Sequence, residues 1–131
     1  MVAIAIIIFG GVIALLSWSP VFSIFNSLVN GTFWPLAAPD PGTQKFMLWV
    51  YGMLGATMVG WGVFLAYVVR HPFASRERWA RDCIAIGVAA WFLIDTAISL
   101  WMQAYFNVAI NVLLAFFVGL PLLATEKYFK K

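Results

Sequence analysis

Four stretches of this chain are apolar for long enough to cross a bilayer, and the polar positions between them mark where it turns. About 20 residues of α-helix span a hydrocarbon core of ~30 Å. The runs at about 2–18, 46–69, 82–102 and 107–125 therefore predict four spans. The expected fold is all-α: a four-transmembrane-helix bundle forming one integral membrane domain over residues 1–131. The first run, Val2 to Trp18, lacks the positive leading region of a signal peptide and reads as a retained span. At 1.5 Å per residue it covers only ~25 Å, so it must thin the bilayer slightly or be extended by the segment after Trp18.

Between the first two runs the pattern changes to one-sided. Ser19-Pro20 reads as a helix cap with proline at the first helical position, and Gly31 reads as the stop. Val21, Phe22, Ile24, Phe25, Leu28 and Val29 fall on one side of this segment, with Ser23, Asn26, Ser27 and Asn30 on the other. This predicts a short interfacial helix over about 20–30, lying on the membrane or tucked onto the bundle as a lid. Pro35 through Pro39-Asp40-Pro41-Gly42 then predicts a surface loop.

Within the spans, small residues recur at helical spacing. Gly52, Ala56 and Gly60 form a row on the second span, and Ala115 and Gly119 extend a row begun by Asn107 and Asn111 on the fourth. Such rows let another helix backbone approach closely. Pro121 removes one backbone donor near the end of the fourth span, predicting a kink.

Composition agrees with the pattern: 64% of residues are hydrophobic, only 10% are charged, and the mean hydropathy is +0.95. Soluble domains carry about a quarter charged residues, so a soluble fold is excluded. The net charge of +3 does not imply nucleic acid, because there is no basic face or base-stacking platform. Seven of the eight cations lie in the loop from Arg70 to Asp82 or in the tail. That asymmetry predicts both termini and the middle loop in the cytoplasm, and the expected location is an inner (cytoplasmic) membrane. Cys83 is alone, which excludes an intrachain disulfide or a CxxC redox pair.

The exception inside the apolar runs is Asp95, the only acidic residue at mid-span. An Asp at that depth disfavours insertion by roughly 2.5–3.5 kcal/mol, and about seven apolar neighbours at ~0.3–0.6 each offset it. It therefore needs polar partners. On a helix its row runs Trp91, Asp95, Ser99, Gln103. With a turn centred near Gln103, Asp95 and Asn111 lie at one depth and Ser99 and Asn107 at another, and Thr57 on the second span falls near the first level. Asp95, Asn111, Ser99, Asn107 and Thr57 thus form the candidate polar cluster, with Asp95 expected to bond Asn111 and either Ser99 or Thr57. Its two readings are a ligand site and a purely structural tie between helices.

No catalytic set can be assembled. His71, before Pro72 in the basic loop, has no companions for a metal site, and Glu77 and Asp82 beside Arg78 and Arg81 read as a salt network. Trp18, Trp34, Trp49, Trp79 and Trp101 fall near span ends as an aromatic belt, while Trp61 and Trp91 lie deeper. No cofactor is required by these residues.

The run Tyr51-Gly52-Met53-Leu54-Gly55-Ala56-Thr57-Met58-Val59-Gly60-Trp61-Gly62, then His71-Pro72-Phe73, Trp91-Phe92-Leu93-Ile94-Asp95-Thr96, and Asn107 to Asn111 resemble an uncharacterised family of small bacterial four-helix integral membrane proteins. The likeness covers most of residues 33–125; it implies four helices and brings no established activity. Other four-span groups fit less well. Small multidrug exporters carry an acidic residue in the first span, sterol-isomerase-like proteins carry several intramembrane acidic and histidine groups, and quinone-reducing four-helix enzymes need a CxxC. The expected function is accordingly that of a non-catalytic accessory or structural subunit of a larger membrane complex, partnered by lipid bilayer, other membrane subunits and an apolar ligand such as a quinone, carotenoid or lipid. The alternative is a small-molecule or lipid-binding carrier or enzyme with an intramembrane pocket around Asp95.

Overall fold

A computed structural model describes residues 2–129, and every regular element in it is helical. Helix α1 is Val2–Leu16, and a 3-10 turn, Pro20–Phe22, leads into α2, Ser23–Phe33. Helix α3, Pro41–Val68, continues as a π-turn over Val69–Phe73. Helix α4 is Arg78–Trp101, and α5, Tyr105–Thr125, ends in a 3-10 turn, Glu126–Tyr128. The helices fall into two compact units, Met1–Ala66 and Tyr67–Lys131.

Three stretches are long and apolar enough to cross a membrane: Pro41–Phe73, Arg78–Trp101 and Tyr105–Tyr128. The expected first span over 2–18 is shorter than the sequence suggests. Helix α1 has 15 residues, ~22 Å at 1.5 Å each, and meets Pro20–Phe33 at a bend of 116°. Those two pieces pass the length and hydropathy test only together, as a broken span or a re-entrant loop, which makes the number of apolar spans three or four.

Two boundaries move for reasons of capping. Pro39 to Gly42 reads as helix-ending loop, yet Pro41 opens α3. Proline suits the first helical position because its missing N–H has no intrahelical acceptor there. Asp40 completes the start: its Oδ1 accepts from the Gly42 and Thr43 amides at 2.9 and 3.2 Å, and its Oδ2 accepts from the Thr43 hydroxyl. These donors, the Thr43 hydroxyl foremost, hold the exposed Asp40 carboxyl below its ordinary 3.8. At the other site, α2 runs through Gly31 to Phe33, because Gly31 takes no left-handed conformation. Pro121 lies inside α5, which continues to Thr125.

In the first unit α1 packs on α3 backbone to backbone. A Cβ built on Gly10 would come within 2.8 Å of the Gly55 carbonyl oxygen, and one on Gly55 would strike that of Gly10 and lie 2.8 Å from Ala14 Cα. Gly62 makes a third close approach, where a built Cβ would lie 2.6 Å from the Ile7 side chain. The row that α1 uses is therefore Gly55 and Gly62. The expected row Gly52, Ala56, Gly60 faces elsewhere: Gly52 and Gly60 have open space at their Cβ positions and Ala56 is exposed. Successive positions on a helix turn by roughly 100°, so Gly55 sits about 60° round from Gly52 and serves a different neighbour. Phe22 of the 3-10 turn and Phe25 of α2 meet Tyr51 of α3 with ring centroids 5.7 and 6.0 Å apart, and Asn26 Nδ2 donates to the Ser17 carbonyl at 3.3 Å.

The second unit is a helical hairpin, α4 against α5. Its turn is a Schellman motif: the Ala104 amide donates to Ser99 O at 2.8 Å and that of Gln103 to Leu100 O at 3.1 Å, with Gln103 at φ 59°. The same arrangement precedes α4, where the Glu77 amide donates to Pro72 O and the Arg76 amide to Phe73 O, with Arg76 at φ 60°. Neither turn uses the glycine that this conformation favours.

Candidate functional site

The polar residues of the hairpin converge on one amide. Asn107, in the first turn of α5, donates from Nδ2 to Asp95 Oδ1 at 2.9 Å and to Ser99 Oγ at 2.8 Å. Ser99 Oγ, four residues along α4 from the carboxyl, donates to the same Oδ1 at 3.2 Å. Asp95 is half-buried and Ser99 only 5% exposed. The carboxyl is thus held by neutral donors on its own hairpin, with no cation in reach among the described residues.

Asn111 is not the partner of Asp95. It is 1% exposed and donates to Thr96 Oγ1 at 3.4 Å, a second, longer tie one turn further from the loop. By depth alone Asn111 stands opposite residues 95 and 96 together, and the helix phase selects Thr96. A four-residue step overshoots a full turn by roughly 40°, so the Asp95–Ser99 row drifts across the face of α4 while Thr96, three residues from Ser99, meets Asn111. Thr96 is the residue that sequence reasoning missed; its spacing to Asn111 about the Gln103–Ala104 turn was the available signal. Thr57 lies in the first unit, where its hydroxyl donates to the Met53 carbonyl of its own helix at 2.9 Å. Ala115 is half-buried on α5, and Gly119 has open space at its Cβ.

At the opposite end of the hairpin from its turn, charges tie the helices. Arg81, 15% exposed at the side chain, bonds Asp82 Oδ1 and Glu126 Oε1, each at 3.1 Å, and Arg78 Nε lies 3.7 Å from Asp82 Oδ2. The expected network therefore forms around Asp82 and gains Glu126, while Glu77 accepts instead from the Trp79 indole N–H. His71 stacks on Tyr67 with ring centroids 6.1 Å apart. Beside this end lies a shallow recess of about 270 Å³ lined by Phe73, Ala74, Arg76, Thr125, Tyr128 and Phe129. Among the described residues, no group of three or more His, Cys, Asp or Glu side chains is placed to hold a metal ion.

What this arrangement can do chemically is limited and definite. Asp95 Oδ1 has both its acceptor directions occupied, whereas no described donor reaches Oδ2. The cluster locks α4 to α5 and leaves one carboxyl oxygen for a further donor. No family model, no curated protein and no solved structure matches this chain.

Proposed function

We propose that this chain is a non-catalytic integral membrane protein, an accessory or structural subunit of a larger membrane complex, whose apolar faces also contact lipid or another long apolar molecule such as a quinone or carotenoid. The observation that carries this reading is the unfilled row on α3: Gly52 and Gly60 meet nothing at their Cβ positions, flanked by exposed Met53, Trp49 and Phe64. In a bilayer the apolar surface itself gives no reason for helices to associate, so close backbone packing on small residues is what recruits another helix. The setting proposed with it is a bacterial inner membrane and a four-span bundle with both termini cytoplasmic and Ser19 to Lys45 on the other side, in line with the cation asymmetry. The family likeness read from the sequence belongs to the same proposal.

Affinity purification in mild detergent tests the subunit role. Stoichiometric membrane subunits should co-purify, and a chain that runs only as a monomer or homodimer refutes it. For the orientation, a single cysteine at Gly42, with Cys83 replaced, should react with an impermeant thiol reagent in cells with a permeable outer layer. Labelling only after inner-membrane disruption reverses the assignment.

A second reading is favoured by the unengaged Asp95 Oδ2: a carrier or enzyme whose ligand donates to that oxygen from an intramembrane pocket. Mass spectrometry of small molecules retained through gentle purification separates the two. A stoichiometric ligand lost in Asp95→Leu supports the pocket, and its absence supports the subunit.

A further inference from the structure

The recess at the charged end of the hairpin combines two surfaces that seldom meet by accident. Its floor is apolar, with Phe73 and Phe129 in edge contact at 4.7 Å and Ala74 beside them. Cations flank its Tyr128 wall: Arg76, which lines the recess, holds its guanidinium 5.9 Å from the ring centroid, and Lys127, which is not among the lining residues, holds its ammonium 5.1 Å from the same centroid. Every described carboxylate nearby is already engaged, Glu126 by Arg81, Asp82 by Arg78 and Arg81, and Glu77 by Trp79. No described carboxylate lies within ion-pair reach of Arg76 or Lys127. Thr125 has given its hydroxyl proton to Pro121 O at 2.6 Å, so polar recognition of an anion falls to the two cations. The recess also stands where two membrane-length stretches stop, Pro41–Phe73 and Tyr105–Tyr128, which is headgroup depth for a chain in a bilayer.

We propose that this recess seats the phosphate headgroup of an anionic phospholipid on Arg76, with Lys127 adding positive charge from beside Tyr128 and the glycerol and upper acyl chain against Phe73 and Phe129. A guanidinium and an ammonium left without carboxylates are the complement of a phosphodiester, and aromatic rings flanking them suit the amphipathic region just below it. Arg76 is held in place by its own backbone, since the Schellman turn fixes it at φ 60°. The inference deepens the proposed lipid contact and rests on the hairpin lying in a bilayer. Co-purification of subunits and lipid titration of the purified chain fail independently of each other.

The test is native mass spectrometry of the full chain in mild detergent, titrated with phosphatidylglycerol or with phosphatidylcholine. Arg76→Gly with Lys127→Gln removes the site; glycine suits the turn, so the backbone is retained, and circular dichroism confirms the fold. Lys45→Gln with Arg70→Gln removes the same charge at residues that neither line the recess nor engage its neighbouring carboxylates. Phosphatidylglycerol should bind in preference to phosphatidylcholine, and the recess variant should lose roughly 30-fold in affinity, about fivefold for each cation. The control variant should lose less than about fivefold. Equal losses in the two variants, equal binding of the two lipids, or displacement of the lipid by inorganic phosphate would each overturn the assignment.

Discussion

Replacing Asn107 with leucine tests the hairpin lock most directly, because a single amide group supplies two of its three hydrogen bonds. Leucine keeps the branched shape and removes both donors. Transmembrane side-chain hydrogen bonds contribute about 0.6 kcal/mol on average and about 1.7 at most, so losing the pair at 2.9 and 2.8 Å should cost about 1–3 kcal/mol. Asn111→Leu gives up one bond of 3.4 Å and should cost less than about 1 kcal/mol. Asp95→Asn keeps an acceptor oxygen facing Asn107 and should stay close to the parent. The assay is reversible unfolding in mixed micelles of mild detergent and dodecyl sulfate, run as a double-mutant cycle of Asp95→Leu with Asn107→Leu and with Asn111→Leu. A coupling of about 0.6 kcal/mol or more is expected for the first pair and none for the second. Coupling to Asn111 without coupling to Asn107 would refute the geometry.

Gly55→Ala should push α1 off α3 and cost about 1–3 kcal/mol, because the new methyl meets only backbone atoms of Gly10 and Ala14. Gly52→Ala, with open space, should instead gain up to about 1 kcal/mol of helix propensity, both read by the same unfolding assay, and equal effects would argue against the assigned face. Gln103→Gly should stabilise the hairpin by up to about 1 kcal/mol by relieving its φ of 59°, and a loss of stability would mean that the turn is not left-handed there. Asp40 should titrate below 3.8 by carbon-13 NMR. Since its folded value is depressed, its contribution to the α3 start is complete above 3.8 and fades as pH falls through the lower folded value; a midpoint at or above 3.8 contradicts the cap.

The helical class, the apolar runs and the pairing of the last two helices were legible in the sequence because each rests on a one-dimensional signal, hydropathy or spacing about a turn. Ser99 and Asn107 were matched for the same reason. The partner of Asp95 was not, since 95 and 96 share a depth and only the helix phase decides which faces α5. The row on α3 failed similarly: Gly52, Gly55, Gly60 and Gly62 all read as small, and which pair α1 covers depends on its direction of approach. The start of α3 was missed because Pro41 signals both a break and a beginning, and Asp40 resolves it only once its carboxylate is seen accepting the two amides.

The lock between Asp95 and Asn107 also bears on how the chain is made, because only twelve positions separate them. At roughly 5–20 residues per second the ribosome adds that interval on the order of a second after Asp95. Closing a loop of this size takes well under a microsecond, so pairing is limited by synthesis rather than by search. In a chain inserted during synthesis, Asp95 would wait on the order of a second for its amide partner. An α4–α5 hairpin entering a bilayer as one unit would carry the acid with its neutral donors already in place.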